Sequence, residues 1–77
     1  MWREDNNRLV YERDFQTQTE LAQFLVKVAR LADQHDHHPD ITVTKCSHLK
    51  LELFTHTLNT LTDQDRKLAK EIESLTD

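Results

Sequence analysis

Between residues 8 and 15, apolar side chains fall at Leu9, Tyr11 and Phe15, with polar residues between them except at Val10. Alternation of this kind predicts a half-buried strand. The period then changes. Leu21, Phe24, Leu25, Val28, Leu31 and Ala32 recur at steps of three and four, which predicts an amphipathic helix running to about residue 34. Thr17-Gln18-Thr19-Glu20 stands ahead of it in the form of a capping box, a hydroxyl at the N-cap and a carboxylate three residues on.

Residues 35–47 show no clean period and contain the one proline, Pro39. A proline biases the residue before it away from helix, so His37-His38 is expected in an extended or turning segment just past the helix end. Strict alternation follows over 48–56. Leu49, Leu51 and Leu53 point one way; His48, Lys50, Glu52, Phe54 and His56 point the other. The leucine face is expected against helices, and His56 emerges on the opposite face at the strand's end. Thr62-Asp63-Gln64-Asp65 opens a second helix, its early carboxylates suiting the helix dipole. Leu68, Ala69, Ile72 and Leu75 form its stripe, and a further short strand fits near Trp2. The predicted fold class is α+β: a two-layer sandwich with two helices packed on one face of a small antiparallel sheet.

At 77 residues the chain is read as one domain, and so short a chain buries only a modest core. Self-association is the expected source of further burial. The single cysteine, Cys46, allows no intramolecular disulfide and fits a reducing, cytoplasmic setting. Ten Lys and Arg are interspersed with fourteen Asp and Glu, for a formal charge of −4. No basic patch of the kind that tracks nucleic acid is present. No apolar run approaches the roughly 20 residues that cross a bilayer, and Met1-Trp2-Arg3-Glu4-Asp5 does not open a signal peptide. Nucleic-acid and membrane partners are therefore not expected. The chain has no glycine, which excludes the phosphate-cradling turns of P-loop and Rossmann proteins.

Five histidines remain, at positions 35, 37, 38, 48 and 56. Asp33 is followed after three spacers by His37-His38-Pro39; a strand ends in Thr55-His56; and Asp65 opens the last helix nine positions later. With Trp2, Phe15, Val28-Ala29 and Leu61-Thr62, this spaced set resembles the pterin-4a-carbinolamine dehydratases, also described as dimerisation cofactors of a homeodomain transcription factor. The resemblance spans essentially the whole chain, as one dehydratase-like domain over 1–77 without the family's usual N-terminal helix. Cys46 stands where the family usually has an aromatic residue, and Thr57-Leu58-Asn59-Thr60 lacks the family's glycine.

The resemblance implies a dehydratase that converts 4a-hydroxytetrahydropterin to quinonoid dihydropterin. That reaction removes a proton from a ring nitrogen while protonating a departing hydroxyl, work suited to imidazole. It implies that His37 and His56 are the acid/base pair, that His38 holds or orients the pterin, and that Asp65 completes the catalytic set. Asp33 and Asp65 would fix histidine tautomer or orientation, and Asp33, Pro39, Asp40 and Thr55 occupy substrate-binding positions. No cofactor or metal is implied, since the pterin is the substrate. Homodimers or homotetramers are implied, and a protein partner is compatible.

Other readings stand beside this one. The same fold could serve as a non-catalytic pterin-binding or protein-interaction module, a reading that the departures at Cys46 and in the loop keep open. Asp36, His37, His38 and His56 carry metal-ligand chemistry, but adjacent histidines rarely both reach one ion. His37-His38 could be a polar turn at a helix C-terminus. His35 and His48 fall outside the matched positions and read as surface residues, and no feature near Cys46 marks a reactive thiol.

Overall fold

A computed structural model describes residues 2–75. The elements run β1 (Arg3–Asp5), β2 (Arg8–Asp14), α1 (Gln18–His35), β3 (Asp40–Thr44), β4 (His48–Leu53) and α2 (Asp63–Ser74). The four strands form one antiparallel sheet in the order β1-β2-β4-β3. This is the expected α+β arrangement, with both helices on one face.

The register of β2 against β4 builds the core. Leu9 lies opposite Leu53, Tyr11 opposite Leu51 and Arg13 opposite Leu49. The three leucines are wholly buried, and each contributes about 2 kcal/mol by transfer from water. Leu21, Phe24, Val28 and Ala32 of α1 and Leu68, Ala69 and Ile72 of α2 close over them. Trp2, Tyr11, Phe24 and Phe15 form an aromatic line, with centroids 5.3, 6.2 and 5.5 Å apart in turn, tying the N-terminal segment to α1.

Val10, which interrupts the alternation of β2, is buried on the other face of the sheet. It pairs with Arg3 and Glu52, long side chains of the kind that lay their stems over apolar surface. The N-cap of α1 is the expected Thr17, whose Oγ1 accepts the Glu20 N–H at 3.1 Å.

Two boundaries differ from the sequence reading. Residues 35–47 are not irregular throughout, because Asp40–Thr44 forms β3. This strand is exposed along its whole length at the sheet edge, so it lacks the buried-exposed contrast that marks an inner strand. Its composition, Ile41-Thr42-Val43-Thr44, is nonetheless β-branched throughout and suits a strand. The second difference is the end of β4, which pairs only to Leu53. Beyond it Thr55 makes a single bridge to Thr60, and the chain turns through residues 56–59. The short strand near Trp2 is β1, joined to β2 by Asn6 and Asn7, both at positive φ, as a two-residue hairpin turn requires.

Candidate active site

The end of α1 decides where the histidine pair stands. Asp36 adopts φ 50°, and its N–H reaches the carbonyls of Ala32 and Asp33. A left-handed residue there is the usual helix stop, ordinarily a glycine. The His37 N–H also bonds Ala32 O, at 3.1 Å. The chain therefore leaves the helix at once, and the buried Pro39 leads it into β3.

The opposing wall comes from the turn after β4. Thr55 N–H bonds Thr60 O at 2.9 Å, and Leu58 N–H bonds Thr55 O at 3.1 Å. Asn59, at φ 51°, takes the left-handed position that glycine would fill. This loop and the end of α1 enclose a cleft of about 290 Å³ lined by Asp36, His37, His38, Thr55, His56, Thr57 and Gln64.

Each of the three histidines has its own carboxylate, and each meets it through Nε2. His37 is paired with Asp65 Oδ1. His38 Nε2 lies 2.8 Å from Asp33 Oδ1, and His56 Nε2 lies 3.4 Å from Asp40 Oδ1. The environments differ sharply: the His37 side chain is 10 % exposed against a fully buried Asp65, whereas His38 and His56 are each 56 % exposed. The Asp65 carboxylate also accepts the Thr62 N–H at 2.9 Å and the Thr55 hydroxyl at 3.0 Å. It sits in the first turn of α2 within a capping box, where the helix dipole favours an anion.

Of the residues expected from sequence, His37, His38, Thr55 and His56 meet in one cleft, with Asp65 directly behind His37. Asp33 and Asp40 lie outside the lining as partners of His38 and His56. Pro39 is buried and shapes the chain path. The sequence reading missed Thr57 and Gln64 as cleft residues and placed Asp36 with His37, His38 and His56 only as a conceivable metal set. Each adjoins an expected site residue at a turn or helix start, where successive side chains do not alternate between faces as they do on a strand. His35 pairs with Glu71, and His48 bridges Asp14 and Glu12; neither lines the cleft.

Among the described residues, no group of three or more His, Cys, Asp or Glu is arranged to hold a metal ion. A larger hollow of about 510 Å³, lined by Trp2, Leu9, Arg66, Ala69, Lys70, Glu73 and Ser74, has an apolar floor and contains no histidine. The smaller cleft is where acid/base groups converge.

The sequence pattern of the family described as Pterin 4 alpha carbinolamine dehydratase matches residues 1–75. The chain belongs to the pterin-4a-carbinolamine dehydratase family. It is 36 % identical over 74 residues to a provisionally named pterin-4-alpha-carbinolamine dehydratase of Sulfolobus acidocaldarius, covering 96 % of this chain and 80 % of that one. It is 33 % identical over 73 residues to the mitochondrial pterin-4-alpha-carbinolamine dehydratase 2 of Arabidopsis thaliana, covering 92 % of this chain and 39 % of the relative. Among solved structures it is similar to a transcriptional coactivator/pterin dehydratase of Brucella melitensis, with TM-score 0.88 at 22 % identity over 99 % of this chain and 82 % of that one. It is also similar to a pterin dehydratase-like protein identified as a RuBisCO assembly factor in the alpha-carboxysome, with TM-score 0.74 at 20 % identity over 97 % and 86 %. These structural likenesses concern the fold. No described helix is long and apolar enough to cross a membrane.

Proposed function

We propose that this member of the family is an active dehydratase acting on 4a-hydroxytetrahydropterin. One observation carries the reading: three imidazoles converge on one cleft, each tied through Nε2 to a separate carboxylate. Loss of water from the carbinolamine breaks the C–O bond at C4a and removes a proton from a ring nitrogen. An imidazole supplies either the acid or the base at neutral pH. In this reading His37 and His56, on opposite walls, are the acid/base pair. His38 orients the flat substrate, and Asp65 orients His37. The exposed Asp33 and Asp40 hold His38 and His56 from the solvent side, and Gln64 adds an amide to the lining. No cofactor or metal takes part.

The test is dehydration of freshly generated 4a-hydroxytetrahydropterin by wild type and by His37→Ala. Acceleration that the variant loses supports the enzyme and its central residue together. A folded wild type that gives no acceleration overturns the reading.

A second reading has its own support. The assembly-factor relative, with a TM-score of 0.74, bears a name that describes work on another protein. In that reading this chain binds a pterin or a protein partner without turnover, and a folded but inactive wild type would favour it. We further propose that the chain functions as a homo-oligomer in a cytoplasmic setting.

A further inference from the structure

The carboxylate behind His37 is held by a pair of hydroxyls whose distances favour one direction of donation. Thr55 Oγ1 lies 3.0 Å from Asp65 Oδ2 and 2.7 Å from Thr62 Oγ1. Thr62 Oγ1 is more distant from Asp65 Oδ2, at 3.4 Å. Each hydroxyl has one proton to donate. Were Thr55 to give its proton to Thr62, its oxygen would face a carboxylate oxygen at 3.0 Å with no proton between them. The alternative uses the two shorter contacts: Thr62 donates to Thr55 and Thr55 donates to Asp65, leaving only the longer 3.4 Å approach of Thr62 Oγ1 to Asp65 Oδ2 without a proton.

The backbone completes the set, because the Thr62 N–H also donates to Oδ2 at 2.9 Å. Asp65 is wholly buried, so water does not solvate it, and a buried carboxylate persists as an anion only where such donors converge. Two donors on Oδ2 leave Oδ1 to His37 alone. An acceptor at Oδ1 places the proton of neutral His37 on Nε2. Among the described residues, none bonds His37 Nδ1.

We propose that Thr55 and Thr62 are positioning residues: they hold Asp65 as a pure acceptor, which fixes His37 in the Nε2–H tautomer and makes Nδ1 its basic nitrogen at the cleft. Thr55 thus acts on the substrate through His37 rather than by touching it. The catalytic consequence rests on the dehydratase reading; the tautomer does not.

Nitrogen-15 NMR of the His37 side chain tests the tautomer in the full chain, with His37→Gln identifying the signal. At a pH where His37 is neutral, wild type and Thr55→Ser are expected to carry the proton on Nε2. Thr55→Val, which keeps the shape and removes the hydroxyl, is expected to show a mixture of tautomers. Dehydration should fall about ten- to a hundredfold in Thr55→Val, the range for losing a hydrogen bond to a charged group, and Thr55→Ser should restore it. A wild-type His37 protonated on Nδ1 overturns the proposal without recourse to any variant, as does a folded Thr55→Val whose tautomer is unchanged. A wild type without dehydratase activity that keeps the Nε2–H tautomer, with Thr55→Val losing it, removes the dehydratase reading and supports the threonine chain.

Discussion

The guanidinium of Arg8 lies 4.0 Å from the centroid of the Phe54 ring, on the segment that delivers His56. The other end of this stack reaches the cleft, since the Phe54 and His56 rings stand 4.2 Å apart. Phe54 is buried although it points away from the leucine core, and His56 is exposed. Phe54 is therefore the rigid backing of a histidine whose other partner is the Asp40 carboxylate, at 3.4 Å. Replacement by leucine keeps an apolar side chain there and removes the ring. Dehydration by Phe54→Leu is expected to fall about two- to tenfold, the worth of an aromatic contact, with helical circular dichroism unchanged. Unaltered turnover would show that His56 does not depend on the stack.

His37→Ala and His56→Ala remove the proposed acid and base. Each is expected to lower turnover by about 10²- to 10⁴-fold, with the far-ultraviolet circular dichroism of wild type. Single-turnover assays on freshly generated substrate check this. Full activity in both variants would end the acid/base assignment.

His48 predicts a dependence of stability on pH. Its Nδ1 stands 2.7 Å from Asp14 Oδ1 and its Nε2 3.0 Å from Glu12 Oε1, so both ring nitrogens face acceptors and the charged imidazolium is the form that fits. Hydrogen bonding to Asp14, and then to Glu12, raises the His48 pKa above its ordinary value. Hydrogen bonding from His48, and then from Arg3, lowers that of Glu12. The His48 contribution is therefore complete below about pH 6.5, the unfolded value, and is lost as pH rises through the raised folded value. The Glu12 contribution is present above the ordinary carboxylate range and is lost as pH falls through its lowered value. The melting-temperature gap between wild type and His48→Gln should be widest in mildly acidic buffer and narrow towards alkaline pH. A gap independent of pH would contradict this.

Ile41 and Val43 on the edge strand β3 are 46 % and 41 % exposed, and Val26 on α1 is 49 % exposed. A free edge with apolar side chains is the kind of surface that natural sheets cover. Sedimentation at micromolar concentration is expected to show a dimer or larger species, and Val43→Lys to shift the population towards monomer. A wild-type monomer would refute the expectation of self-association.

Amphipathic periods made most of the fold legible in advance. Thr17 marked the start of α1, Thr62-Asp65 marked α2, and Leu49-Leu51-Leu53 identified the central strand, because burial on one face imposes a pattern on the residues themselves. β3 was not legible in that way. It is held by hydrogen bonding to β4 and has no buried face of its own, so only its β-branched composition hinted at it. At the site, the residues that meet in the cleft, His37, His38, Thr55 and His56, with Asp65 behind His37, were legible only through the resemblance of the spaced set to the dehydratase family. The orientation of Thr55, with its hydroxyl turned inward to Asp65, depends on two segments meeting in space, which spacing alone does not encode. The same is true of the cleft neighbours Thr57 and Gln64.

Six described residues hold positive φ angles without a glycine among them: Asn6, Asn7, Asp36, Lys45, Cys46 and Asn59. Asparagine and aspartate tolerate that region, whereas lysine and cysteine incur about 1–2 kcal/mol of steric cost. Lys45 and Cys46 lie in the β3–β4 turn, at the opposite end of β4 from the cleft. Glycine at either position removes the clash and returns part of the gain as unfolded-chain entropy. The turn is thus a reserve of stability, tappable at a distance from the three cleft histidines. A chain hardened there would tolerate damaging substitutions in the cleft while remaining folded, and so let loss of chemistry be told apart from loss of fold.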